Sequence, residues 1–185
     1  MMAIERYRNG GFTLIELLLA LAVASVLLSV AAPAMSALVD SVRQRSAAQA
    51  LLFSLQFSRS EAIKRGGRVV LCKSASGADC SRAGGWEQGW IVFHDRNNNA
   101  RVDAGEAILQ HEQRLSGAVR LSGNNLVESY VSYTPLGNTS MTGGGMQMGT
   151  LTVCQPEAKR VSARQVVISS SGRARTQKVK LDHCT

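Results

Sequence analysis

The chain has 185 residues, of which 45% are hydrophobic and 18% are charged, and its formal net charge is +8. This composition excludes an intrinsically disordered polymer, and the length predicts one domain with an appendage rather than two full domains. The excess of positive charge favours polyanionic partners such as nucleic acid or acidic lipid surfaces.

Residues 14–32 form an apolar segment in which Glu16 is the only charged residue. A run of this length predicts a membrane-spanning helix, and Arg6 and Arg8 before it predict a cytoplasmic N-terminus. The rest of the chain would then lie in an oxidising compartment, where disulfides persist. A carboxylate inside such a helix costs about 2.5–3.5 kcal/mol on insertion scales. Glu16 therefore either needs a partner or lies at the level of the lipid headgroups.

Apolar residues continue to recur with helical spacing beyond Pro33, as far as Arg65, and Gly66 and Gly67 then end the pattern. The sequence predicts one long helix over residues 12–66, whose second half offers an apolar stripe to a globular head. The alternative is two separate helices broken at Pro33.

From residue 67 the pattern changes to short alternating or apolar runs, separated by turn residues such as Gly, Asn and Ser. One helix followed by strands predicts an α+β fold, in which the helix packs on antiparallel sheet within a β-rich head over residues 67–185. Eight strands are predicted: Arg68–Lys73, Trp90–His94, Ala107–His111, Val119–Ser122, Tyr130–Thr134, Leu151–Cys154, Gln165–Ser169 and Arg173–Val179.

The chain has four cysteines, which permit three connectivities if all of them pair. Cys72 and Cys80 enclose a short segment with a Ser-Gly turn, and a bond between Cys154 and Cys184 would tie the last segment to a preceding strand. We favour these two pairs. A metal site on the cysteines is disfavoured because the C-x-x-C spacing is missing from the sequence.

The connection from residue 95 to residue 106 places oxygen-bearing side chains at positions 1, 3, 5, 9 and 12 of an EF-hand-type loop. However, position 6 is Ala100, where such a loop needs glycine, and Arg101 adds positive charge. We therefore favour a polar connection whose side chains bind turn backbone groups, with calcium as the alternative. The calcium ligands in that alternative would be Asp95, Asn97, Asn99, Asp103 and Glu106.

The sequence lacks a recognisable catalytic constellation. It contains no G-x-S-x-G, P-loop or H-E-x-x-H motif, and its histidines, His94, His111 and His183, are scattered. An enzyme is therefore disfavoured and no cofactor is expected. A membrane-anchored periplasmic enzyme is the alternative from another functional class.

Basic residues cluster near the C-terminus, in a segment without acidic residues. Arg173 and Arg175 follow a Ser-Gly turn, and alternation along a strand would project them from one face. Two neighbouring guanidinium groups suit adjacent phosphates, whereas the alternative is a solvated edge that discourages aggregation. The segment contains Lys159, Arg160, Arg164, Arg173, Arg175, Lys178 and Lys180.

Residues 11–18, GFTLIELL, resemble the prepilin-peptidase site of type IV pilins and type II secretion pseudopilins. The resemblance implies that prepilin peptidase removes a leader, residues 1–11, by cutting after Gly11, and then methylates Phe12. It also implies that Glu16 faces the α-amine of a neighbouring subunit in a filament. Before assembly, such a protein is expected in the bacterial inner membrane with a periplasmic head, and afterwards in a pilus or pseudopilus at the cell surface.

Three further segments resemble the FimT/FimU and GspH group of minor pilins: Arg59–Ile63, Gly85–Phe93 and Gly172–Arg175. The resemblance implies a pilin-like fold with a long N-terminal helix that carries a β-rich head. The Gly-Arg-x-Arg segment implies capture of double-stranded DNA in natural transformation. The residues expected to bind DNA are Arg173, Arg175, Lys178, Lys180 and Arg164.

The sequence therefore predicts a minor pilin of a type IV pilus that assembles with other pilins through its helix and binds DNA without sequence preference. Two alternatives within the family remain. One is a FimU-like structural adaptor without DNA binding, and the other is a GspH-like pseudopilin of type II secretion.

Overall fold

The computed structural model describes residues 13–156 and 161–184. Helix α1 is one continuous element, Leu14–Arg65. The alternative of two helices broken at Pro33 is therefore wrong, and the predicted long helix is confirmed to within two residues of each predicted end.

Both ends of α1 are capped by nearby groups. At the start, the N–H of Glu16 donates to the hydroxyl of Thr13, and the N–H of Thr13 donates to the Glu16 carboxylate, each at 3.3 Å. This reciprocal pair is a capping box. At the end, Gly66 takes φ +60°, and the N–H of Gly67 donates to the carbonyl of Ala62 at 3.3 Å. The two glycines thus end the helix as predicted.

The chain divides into two compact units, residues 1–39 and 40–185. In the first unit, every side chain that the structure describes from Thr13 to Val39 is exposed in the single chain. Among the helices formed by the described residues, none is long and apolar enough to cross a membrane. The span predicted over residues 14–32 is therefore not confirmed.

Within its described residues, the second unit contains eight strands. They are β1 (Arg68–Lys73), β2 (Trp90–Asp95), β3 (Ile108–Glu112), β4 (Arg120–Gly123), β5 (Tyr130–Tyr133), β6 (Gly149–Cys154), β7 (Val161–Ile168) and β8 (Ala174–Leu181). They form two four-stranded antiparallel sheets, with strand orders β3-β2-β1-β5 and β4-β6-β7-β8. Each of the eight predicted strands is confirmed.

The largest boundary error concerns the last hairpin. Strand β7 begins at Val161 rather than at Gln165, and β8 ends at Leu181 rather than at Val179. Residues 161–164 are mostly small or polar and carry little hydrophobic pattern of their own. They are extended because each of them pairs with a residue of β8.

One hydrophobic core joins the second half of the helix to both sheets. Leu51 and Leu55 of the helix are fully buried and belong to the same cluster as Val92 of the first sheet and Val166 of the second. The predicted packing of a helix on antiparallel sheet is therefore confirmed, with two sheets sharing the core.

Both tryptophans are fully buried, and each indole N–H has a partner. Trp90 Nε1 donates to the hydroxyl of Ser54 in the helix at 2.9 Å, and the side-chain amide of Gln110 donates to the same hydroxyl at 3.0 Å. Trp86 Nε1 donates to the backbone carbonyl of Glu128 at 3.0 Å. These bonds let the large rings enter the core without leaving a buried donor unpaired.

Two disulfides join the four cysteines in the favoured pattern. Cys72 is bonded to Cys80 around the loop that follows β1, and Cys154 at the end of β6 is bonded to Cys184 near the C-terminus. The predicted connectivity is confirmed, and it ties the last strand to its own sheet.

Candidate nucleic-acid interface

The basic C-terminal segment folds as the β7–β8 hairpin, which forms one edge of the second sheet. Its turn is closed by two backbone bonds: Ser169 N–H donates to the carbonyl of Arg173 at 3.0 Å, and Gly172 N–H donates to the carbonyl of Ser169 at 2.9 Å. Gly172 takes φ +77°, a conformation that favours glycine. Arg173 therefore closes the turn, and the strand begins one residue later.

Arg175 lies on the face of the second sheet that points away from the hydrophobic core. Its guanidinium donates to Gln177 at 3.1 Å, Gln177 donates to Gln165 at 2.9 Å, and Gln165 donates to Thr152 at 3.4 Å. These side chains form a continuous polar row, because Gln177, Gln165 and Thr152 are cross-strand neighbours on β8, β7 and β6, and Arg175 precedes Gln177 by two residues on β8. The row holds the exposed Arg175 against a flat polar surface.

Three other basic residues lie on the opposite face of the hairpin. Arg164 of β7 is directly paired with Lys178 of β8, and Lys180 follows on the same face two residues along the strand. Directly opposed like charges disfavour the hairpin, because their side chains begin only about 5 Å apart. The five predicted DNA-binding residues are thus divided between the turn and two faces, instead of forming one cluster.

Within the part of the chain that the structure describes, the cations of the hairpin form no ion pair. Among the described residues, the ion pairs join Asp40 to Arg43 and Glu61 to Lys64 and Arg65, all within the helix. Residues 161–181 contain no Asp or Glu. The hairpin therefore carries its full positive charge at the surface, which suits a polyanionic partner.

Arg173 lies beside residues that were not predicted to bind DNA. Together with Gly172 and Ala174 it lines a cavity of about 260 Å³, whose other walls are Gln56 and Arg59 of the helix and Tyr133 of β5. Arg59 appeared in the sequence only as part of a family-like segment, and Tyr133 only as a strand residue. Tertiary packing brings them together, and sequence spacing carried no signal of it.

The connection after β2 uses its acidic side chains to bind its own loop. The Asp95 carboxylate accepts two backbone N–H groups at 3.0 and 3.2 Å, and the Glu106 carboxylate accepts two more at 2.8 and 3.1 Å. Hydrogen bonds from the amides of Asn97 and Asn99 hold the pKa of Asp103 below its usual range. Within residues 13–156 and 161–184, no group of three His, Cys, Asp or Glu residues is placed to hold a metal ion. These contacts are those of the favoured polar connection.

Some predicted residues lie outside the described part of the chain. Gly11 and Phe12, the expected cleavage and methylation sites, precede its first residue. Lys159 and Arg160 of the basic segment fall between its two ranges. Glu16 is described, and its carboxylate binds Thr13 within the same chain.

Sequence profiles of two families match the chain. The family described as type II transport protein GspH matches residues 47–172, and the prokaryotic N-terminal methylation motif matches residues 6–32. The first match covers more than half of the chain, including most of the second half of the helix and the seven complete strands β1 to β7.

The chain is also similar to two characterised proteins. The pilin-like protein PilA1 of Thermus thermophilus is 30% identical over 171 residues, which are 90% of this chain and 97% of that protein. The fold is similar to that of the type IV minor pilin FimU of Pseudomonas aeruginosa strain PAO1 in two crystal forms. The TM-scores are 0.58 and 0.54, the identity is 20%, and the alignments cover 79% and 76% of this chain and 98% and 99% of the FimU chains.

The helix begins within the methylation-motif match, and the GspH match covers the last part of the helix and most of the two-sheet head. The chain belongs to the GspH family of pilin-like proteins, the minor pilins and pseudopilins of type IV pili and type II secretion systems.

Proposed function

We propose that this protein is a minor pilin of a type IV pilus whose head binds double-stranded DNA without sequence preference, for uptake in natural transformation. The observation that carries the proposal is the β7–β8 hairpin, whose basic side chains have no ion-pair partner among the described residues. Guanidinium groups on a surface without acids attract phosphates of any sequence, because the backbone charge of DNA is uniform.

Within the hairpin, Arg173 and Arg175 are the residues proposed to touch DNA. Arg173 is exposed at the turn, and Arg175 is exposed above a row of glutamine and threonine side chains that can reach sugar and phosphate oxygens. Arg164, Lys178 and Lys180 lie on the other face. They would attract the same duplex over a longer range, within about 10 Å at 0.1 M salt.

The N-terminal segment would serve assembly. In this proposal, prepilin peptidase cuts after Gly11 in the inner membrane, Phe12 is methylated, and the helix then packs against other pilins. The methylation-motif match over residues 6–32 supports this sequence of events. The exposed apolar side chains of the first unit support it as well, because a single chain leaves them uncovered.

A second function has a specific observation in its favour, since the family that matches residues 47–172 is described as a type II transport protein. A GspH-like pseudopilin would share the fold and the processing but would act in protein secretion. A FimU-like adaptor would need the head for contacts with other subunits and not for DNA.

The test is made in the source bacterium with chromosomal variants. We expect Arg173→Gln/Arg175→Gln to reduce uptake of double-stranded DNA while twitching and secretion continue. Arg96→Gln/Arg114→Gln removes the same charge from exposed sites outside the hairpin and is expected to leave all three unchanged. Loss of secretion alone on deletion of the gene would establish the pseudopilin instead. Unchanged uptake in the hairpin variant, with twitching lost on deletion, would establish the adaptor.

A further inference from the structure

The residues that line the cavity beside the hairpin turn are either positively charged or neutral. Arg59 reaches it from the helix, Arg173 from the turn and Tyr133 from β5, and its lining contains no carboxylate. Its volume of about 260 Å³ leaves room for a small group, and all of its residues belong to the second compact unit.

Arg59 is fixed in place before any ligand binds. Its Nε donates to the backbone carbonyl of Gly137 at 2.8 Å, which sets the plane of the guanidinium group. Its two Nη atoms have no hydrogen-bond partner among residues 13–156 and 161–184. A guanidinium that is anchored through Nε presents its paired Nη donors with little further loss of side-chain entropy.

Tyr133 contributes the observation that points most directly to a ligand. Its side chain is fully buried, yet its hydroxyl has no hydrogen-bond partner in the described part of the chain. Burying an unpaired hydroxyl costs about 1–3 kcal/mol, so such groups normally have a partner. Burial also raises the pKa of Tyr133, against the opposing effect of the Arg59 charge. The hydroxyl therefore keeps its proton and can donate it in a hydrogen bond.

The residues that line this cavity include two arginines and one tyrosine, and the guanidinium and phenol groups of these residues are hydrogen-bond donors that suit the oxygen atoms of a tetrahedral oxyanion. Paired Nη donors suit a phosphate because they can bind two of its oxygens at once. We propose that this cavity binds a single phosphate group, held by Arg59, Arg173 and the hydroxyl of Tyr133. The phosphate group could belong to the DNA backbone, and in that case the inference rests on the proposed function. A free phosphate ion is the other ligand that offers the same chemistry.

The site gives Arg173 and Arg175 different roles. Arg173 would hold one phosphate in a built cavity, whereas Arg175 would meet the backbone on the open face of the sheet. Tyr133, buried and uncharged, would contribute to affinity without changing the number of charges that DNA encounters.

The test uses the full chain in a zwitterionic detergent, with Tyr133→Phe as the main variant. This change removes only the hydroxyl, which bonds to no described residue, so the fold is expected to be as stable as before or slightly more stable. The first probe is inorganic phosphate at constant ionic strength, followed by the NMR signals of the arginine Nε–H groups. We expect saturable shifts for Arg59 and Arg173 in the parent, and about tenfold weaker binding in Tyr133→Phe.

The second probe is duplex DNA, which separates the two sources of phosphate. If DNA supplies the group, Tyr133→Phe lowers DNA affinity by a similar factor and leaves the salt dependence unchanged. If DNA affinity is unaffected while phosphate binding falls, the cavity site holds and its ligand is the free ion. The inference is overturned if the parent shows no saturable shifts, or if Tyr133→Phe binds phosphate as well as the parent does. Neither of those results alters DNA binding by the turn arginines, which Arg173→Gln/Arg175→Gln tests separately.

Discussion

The α-carbon of Gly172 lies against the backbone carbonyl oxygen of Gly137, so closely that a β-carbon at residue 172 would overlap that oxygen. The same carbonyl accepts the Nε–H of Arg59 at 2.8 Å. One backbone oxygen thus connects the turn of the β7–β8 hairpin to the turn after β5 and to helix α1. The position of the arginine-bearing turn depends on this contact.

Replacing Gly172 with alanine is expected to destabilise the head by about 2–3 kcal/mol. The new β-carbon would displace the Gly137 carbonyl, and the residue would have to keep φ +77°, which costs a non-glycine residue about 1 kcal/mol or more. Urea unfolding of the full chain measures the loss. Gly145→Ala is the control, because a β-carbon there meets nothing within 4 Å and its φ is not positive. Equal midpoints for the two variants would contradict the contact.

Ser54→Ala is expected to cost about 2 kcal/mol although it removes a single oxygen atom. The Ser54 hydroxyl oxygen accepts a hydrogen bond from Trp90 at 2.9 Å and another from Gln110 at 3.0 Å. Without this oxygen, both N–H donors would lose their acceptor inside the protein. The midpoint of thermal unfolding reports the loss. Ser60→Ala changes an exposed serine of the same helix and is expected to leave the midpoint unchanged. A water molecule that enters and restores both bonds would make the two variants alike and would refute this expectation.

The helix and the strands could be predicted because each has a local signal. Gly66 and Gly67 mark the end of the helix, and turn residues separate the apolar runs of the eight strands. The division of the basic residues between two faces also has a signal, since Arg175 and Lys178 differ by an odd number of positions along one strand. They were predicted to act together because they are close in sequence, but the strand register shows that they point in opposite directions.

The cavity beside the turn had no such signal. Arg59, Tyr133 and Arg173 come from a helix, a strand and a turn that are far apart in sequence, and only tertiary packing brings them together. The sequence also could not predict that two sheets share one core. Alternating patterns define the two faces of each strand but not the order in which the strands pair.

The two disulfides are expected to stabilise the protein to different extents. Cys154–Cys184 closes 30 residues and Cys72–Cys80 closes 8. Loop-closure entropy therefore predicts a loss of about 3.5 kcal/mol for Cys154→Ala/Cys184→Ala, against about 2.5 kcal/mol for Cys72→Ala/Cys80→Ala. The two double variants are comparable because each replaces one buried and one partly exposed cysteine. Urea unfolding under identical conditions measures the difference in their stability. The reverse order of stabilities would contradict the entropic account.

Glu16→Ala is expected to impair incorporation into filaments through the loss of a partner in a neighbouring subunit. Glu16 also caps its own helix through Thr13, and loss of a cap alone costs about 1 kcal/mol. Thr13→Ala is therefore the matched control, because it removes the cap and keeps the carboxylate. Quantifying each variant in sheared filaments separates the two roles. If both variants assemble equally well or equally poorly, the carboxylate acts only as a cap.

DNA binding by the turn of the β7–β8 hairpin is expected to show in the salt dependence of affinity. For the full chain in a zwitterionic detergent, fluorescence anisotropy with a duplex oligonucleotide gives log K against log salt. Two to four phosphate contacts predict a slope of about −2 to −4.

Arg173→Gln/Arg175→Gln is predicted to make that slope shallower by about 2 and to weaken binding equally for unrelated sequences. Lys178→Gln/Lys180→Gln removes the same charge from the other face of the hairpin and is predicted to change the slope by less than about 1. Circular dichroism confirms that each variant is folded. A folded arginine variant that binds as tightly as the parent at every salt concentration, or a parent that does not bind even at low salt, would contradict DNA binding by the turn.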